Sequence, residues 1–160
     1  MRKLWLILLP LLLLGCGSKE VFEQVDDRYE ILLPQAQVIS LDLPEEAAVA
    51  AMSGGGNTLY FCEGYTLAVQ TLPGGDLNRS LQTLTGYSKD RLTVIRTGDR
   101  YTCAFSSMGE NGSQVGQVVL VDDGAYHYGV TVMADAEVAG NLTEIWEELL
   151  GSVRLSRTDP

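Results

Sequence analysis

The chain has 160 residues, with 11 lysines and arginines against 21 aspartates and glutamates, a formal net charge of −10. That length is enough for one domain with a real core. The acidic balance repels nucleic acid and anionic lipid headgroups, and one histidine with three cysteines leaves too few soft donors for zinc.

The first element is apolar and short. Arg2 and Lys3 precede an apolar run from Leu4 to Leu14, which Pro10 interrupts and small Gly15 and Cys16 close. Spanning hydrocarbon takes about 20 apolar residues, so the run is too short for a membrane span and has the layout of a secretory signal. Its ending, Leu13-Leu14-Gly15-Cys16, resembles the lipobox of bacterial lipoproteins. That resemblance implies cleavage before Cys16, lipidation of Cys16, and a chain held on the extracytoplasmic side of the cell membrane by acyl groups. Without Arg2 and Lys3 the formal balance is −12. Residues 16–27, polar and rich in Glu and Asp, read as a lipidated tether, leaving 28–157 as a single globular domain.

The domain reads as hairpins punctuated by two helices. Residues 29–33 and 37–43 suit strands separated by Pro34. From Pro44 to Asn57 the Ala-rich and Gly-rich sequence reads as a loop, and Gly54-Gly55-Gly56 lacks the lysine of a phosphate-binding loop. A hairpin spans 58–63 and 65–71, with Tyr65, Leu67 and Val69 on one face. Asp76 can cap a helix over 76–86 whose Leu77, Leu81 and Leu84 share a face and which Gly86 ends. A second hairpin, 91–96 and 100–106, turns at Thr97-Gly98-Asp99, and 108–114 reads as an exposed loop. A third pairs 115–121 with 126–134 around Asp122-Asp123-Gly124, where Asp-Gly turn geometry accounts for the acidic pair without calcium. A helix over 136–150 and a short strand at 153–155 close the chain.

Antiparallel hairpins with two amphipathic helices predict an α+β domain, a sheet of about six to eight strands with the helices packed on it. The element order over about 28–155, with a late Tyr-rich strand (Tyr126, Tyr128) before a C-terminal helix, resembles the Mog1/PsbP-like fold. Members of that group are often adaptors or assembly factors and several bacterial ones are lipoproteins, so the resemblance implies a binding role.

Chemistry-bearing residues are sparse. With Cys16 lipidated, Cys62 and Cys103 form an even pair in an oxidising compartment, which favours a disulfide over two buried thiols on neighbouring strands. His127 stands alone, and Ser53, Ser80, Ser106 and Ser107 lie in no nucleophile-elbow pattern. Glu144, Glu147 and Glu148 read as a solvated helix face. The set Tyr60, Tyr65, Tyr101, Tyr126 and Tyr128, with His127, either lines a ligand or partner surface or forms the core under the helices. No catalytic, metal or cofactor site emerges. The expectation is a lipid-anchored, non-catalytic protein-interaction or assembly module of the cell envelope with an envelope protein as partner; the alternatives are a small-ligand binder with a pocket between sheet and helices and, weakest, a hydrolase.

Overall fold

The computed structural model describes residues 36–54, 57–109 and 112–156, so the signal, Cys16, the tether and the strand expected at 29–33 lie outside the described residues. In chain order the strands are β1 (Val38–Ser40), β2 (Ala48–Ser53), β3 (Asn57–Cys62), β4 (Tyr65–Pro73), β5 (Ile95–Thr97), β6 (Arg100–Gly109), β7 (Gly112–Asp122), β8 (Tyr126–Asp135) and β9 (Arg154–Ser156). The helices are α1 (Leu77–Thr85), α2 (Ala136–Ala139) and α3 (Thr143–Ser152). Seven strands form one antiparallel sheet in the order β2-β3-β4-β8-β7-β6-β5, and β1 pairs with β9 separately. This is the α+β architecture that the hairpin pattern predicts.

Both faces of the sheet's central strands are covered. On one, α1 sets Leu81 and Leu84 against Cys103, Val118 and Leu120. On the other, Leu142, Trp146, Leu149 and Leu150 pack on Tyr65, Leu67, Val119, Val121, Tyr128, Val130 and Val132. Central strand β8 therefore buries alternate residues on opposite sides, and His127, Tyr128, Val130 and Val132 are each no more than 2 % exposed. A strand sealed on both faces loses the polar and apolar alternation of a half-buried one.

Local signals account for the helix ends. Asp76 Oδ1 accepts from the Arg79 N–H at 3.0 Å, and Gly86 closes α1 in the left-handed conformation at φ 81°. The helix expected at 136–150 is instead α2, a tight 3₁₀ turn at Gly140–Leu142 and α3. Gly140-Asn141 pairs two weak helix formers at the break, and Asp135, with no cap bond to make, accepts from Gln114 at 3.4 Å. Two stretches read as loops are strands: β2 lies within 44–57, and β6 and β7 extend across most of 108–114. Isolated Ala-Val-Ala-Ala-Met-Ser has no alternating pattern, and pairing with β3 makes it a strand.

A close approach positions α1. A Cβ built at Gly129 on β8 would lie 2.6 Å from Leu84 Cδ2, so the absent side chain is what lets the helix settle on the strand. Gly129→Ala is expected to destabilise by about 1–3 kcal/mol through overpacking, read as a lower urea midpoint with an unchanged slope.

Candidate functional site

One side of β6 opens onto a groove. β5 pairs only with Arg100, Tyr101 and Thr102, so among the described residues no strand pairs with the outer edge of β6 from Cys103 onward. Leu92 and Val94 pack under α1 and draw the preceding chain away from the sheet. The space left is a groove of about 950 Å³ that reaches both faces, bordered by Leu92 and Phe105 on the α1 side and by Leu150 on the α3 side. A smaller hollow of about 330 Å³ continues it past Ala104 and Ser106 to Trp146. Arg91 and Arg100 line the groove with one carboxylate, Glu147. Arg100 is held in place because its Nη2 donates to Val153 O at 2.7 Å and its Nη1 to Leu150 O at 3.4 Å, a cation at the end of α3. Tyr87 Oη donates to Ser106 O at 2.6 Å and so occupies one acceptor of the open edge.

The tyrosines expected as a surface or as core are spread through the packing. Tyr65 is 5 % exposed and meets Trp146 edge-on at 6.1 Å, and Tyr128 is fully buried beside Tyr126 at 6.3 Å. Tyr60 and Tyr126 pack partly buried against the same core, and Tyr101 against the α1 side, where Arg96 lies 5.3 Å over its ring. Burial pushes the Tyr65 phenol up, with the nearby Cys62 thiol adding to it, and its hydroxyl has no partner of hydrogen-bonding geometry.

The expected Cys62–Cys103 disulfide is corrected: both thiols are free. Cys62 on β3 and Cys103 on β6 pack on opposite faces with three strands between them. Strand spacing alone separates them by roughly 19 Å, against about 7 Å as the widest Cα separation a disulfide spans. They are also not on neighbouring strands. Burial pushes both thiols up, which makes them poor nucleophiles.

The fold does assemble one trio that the linear sequence conceals. Ser80 Oγ lies 2.7 Å from His127 Nδ1, and His127 Nε2 lies 3.7 Å from Asp122 Oδ2. The residue types are those of a hydrolase triad, but Ser80 is 3 % and His127 2 % exposed, and neither borders the groove or the hollow. What the pair does is join α1 to β8 and satisfy a buried imidazole. A second junction surrounds Asp123. Its Oδ1 accepts from the Ala125 and Tyr126 N–H groups, and its Oδ2 from Tyr128 Oη at 2.7 Å and Gln37 Nε2 at 3.1 Å. The Gln37 N–H completes the ring by donating to Tyr128 Oη at 2.7 Å.

No protein-family model matches the chain, and no characterised protein matches it by sequence. Solved structures do match by shape. A protein from Bacteroides thetaiotaomicron aligns at a TM-score of 0.51 and 11 % identity over 75 % of this chain, which spans only 46 % of that protein. A point mutant of Mog1 aligns at 0.51 and 13 % identity, covering 75 % of this chain and 92 % of its own. LpqN, titled as involved in cell envelope biogenesis of Mycobacterium tuberculosis, aligns at 0.47 and 13 % identity over 77 % of this chain and 86 % of its own. The chain has the Mog1-like fold.

Both junctions give measurable expectations. Ser80→Ala leaves a buried imidazole nitrogen unpaired and is expected to cost about 1–3 kcal/mol in denaturant melts. Partial burial opposes ionisation of Asp123, but hydrogen bonds from Tyr126, Tyr128, Ala125 and Gln37 outweigh it and hold the carboxyl below its usual value of 3.8. Its contribution to stability is therefore complete above the unfolded value and is lost as pH falls through the lower folded value. Burial, opposed by the Gln37 N–H and reinforced by Asp123, pushes the Tyr128 phenol up from 10 to about 12, so its contribution holds below pH 10 and disappears as pH rises through about 12. Stability curves of Asp123→Asn and Tyr128→Phe should each flatten, the first at the acid limb and the second at the alkaline limb.

Proposed function

We propose that this protein is a lipid-anchored module of the bacterial cell envelope that binds another protein and carries out no catalysis. The observation that carries the binding role is the open groove of about 950 Å³ along the unpaired edge of β6. A strand edge with free amide and carbonyl groups is a ready surface for a second chain. Ser80 and His127 are buried and border no part of that groove, which favours binding over hydrolysis. An open groove reaching round two faces of a sheet also suits an extended chain better than it suits an enclosed small molecule.

Anchoring rests on the lipobox ending in Cys16. Among the described residues no helix is long and apolar enough to cross a membrane. An anchor through acyl chains would leave the folded domain on a tether outside the hydrocarbon, free to meet other envelope proteins.

Two measurements test this reading. Labelled palmitate should incorporate into the wild-type chain and not into Cys16→Ser, and the variant should leave the membrane fraction. Cross-linking the anchored protein in its native cells should return a reproducible envelope protein; a blank at good coverage of the chain overturns the binding role.

A further inference from the structure

We infer that the β6 groove takes an extended, acidic segment of a partner protein, which adds to the sheet as a strand beside Ala104–Met108. This rests on the binding role proposed above and goes further in naming the partner's chemistry.

The main chain supplies the first argument. β5 faces β6 with Thr97 opposite Arg100 and Ile95 opposite Thr102 across a two-residue turn, so the even-numbered residues of β6 direct their amide and carbonyl groups outward. The bond from Tyr87 to Ser106 O lies on that same side. Beyond β5 the outward groups of Ala104, Ser106 and Met108 have no strand opposite them among the described residues. These three residues are exposed, Met108 at 83 %. The edge is not guarded in the usual ways, since Ala104–Met108 holds no proline and no charge.

Shape supplies the second. An added strand sends alternate side chains to opposite faces of a sheet. The space beside β6 has a wall on each: Leu92 and Phe105 on one, Leu150 and Trp146 on the other.

Charge chooses the partner. Six lysines and arginines occur among the described residues, and five of them, Arg79, Lys89, Arg91, Arg96 and Arg100, fall between residues 79 and 100 with only Asp90 and Asp99 among them, while the groove lining itself holds Arg91 and Arg100 against the one carboxylate of Glu147. No ion pair with a carboxylate engages any of the five among the described residues. In a chain of net charge −10 this is a local basic margin, and Arg91 and Arg100 reach the groove lining. Donors in excess call for a segment rich in carboxylates. A second copy of this chain brings net negative charge and its own basic margin to the same place, which the electrostatics disfavour.

The test uses the full chain in detergent with a short acetylated peptide in which glutamate alternates with valine or threonine. Hydrogen exchange should show fast amides at Ala104, Ser106 and Met108 in the free protein and slowed ones with the peptide, while the odd-numbered amides of β6 change little. The lysine-for-glutamate peptide should bind at least about tenfold more weakly. Ala104→Pro removes an outward N–H at an edge position where proline is tolerated, and should weaken the glutamate peptide by about tenfold or more with an unchanged melting temperature. Equal binding of the two peptides, or peptide protection elsewhere on the sheet, overturns the proposal. Edge amides that are slow without peptide and quicken on dilution would give the edge to a second copy and overturn it too. Cross-links to an envelope protein at other surfaces, with no peptide effect at β6, would sink this inference and leave the binding role standing.

Discussion

The fold depends on one constraint: β8 is buried on both faces. Because α1 covers one side and α3 the other, every residue of its central stretch must satisfy a packing neighbour. Tyr128, Val130 and Val132 do so against Trp146 and Leu149, while Gly129 yields space to Leu84. Two buried polar residues stand apart: the His127 ring is made tolerable by its Ser80 contact, while the Thr131 hydroxyl has no partner among the described residues. The helix cap at Asp76, the glycine at the helix–strand contact and the Ser80 bond therefore serve one end, the seating of α1 on the central strands.

The same burial creates the groove. A helix layer over each face draws flanking chain inward, and Leu92 and Val94 follow the apolar surface under α1 instead of extending β5. Hydrophobic burial of two side chains outweighs a few edge hydrogen bonds, which exchange with water at small net cost. The result is a long strand, β6, paired with β7 along its length but with an outer partner for only its first three residues. Tyr87 recovers one acceptor, and the rest of the edge stays open.

A polar junction holds the β7–β8 turn. Asp123 closes the β7–β8 turn through its Oδ1 and ties Gln37 and Tyr128 through its Oδ2, so a single carboxylate organises a turn, a core phenol and the chain leading into β1. The acidic pair read as turn chemistry has this second role, which depends on Gln37 arriving from 86 residues away in sequence.

Much of the architecture was legible in the sequence because its signals are local. The period-two run of Tyr65, Leu67 and Val69, the leucine spacing of α1 with Asp76 before it and Gly86 after it, and the turns at Gly98 and Asp123-Gly124 are all encoded within a few residues. The lipobox-like ending at Cys16 is likewise a linear pattern. What the sequence could not express was pairing at a distance. Alternation at 91–94 looks like strand and is pulled off the sheet; Ala48–Ser53 looks like loop and becomes a strand; Cys62 and Cys103 look like a pair and lie on opposite faces. Ser80 and His127 meet across 47 residues with no motif to announce them. Local propensity and turn chemistry thus settled which segments are helices and hairpins, while strand order, the sealing of both sheet faces and the free edge of β6 were decided only in three dimensions, where burial of apolar side chains outweighs the preference of any short segment.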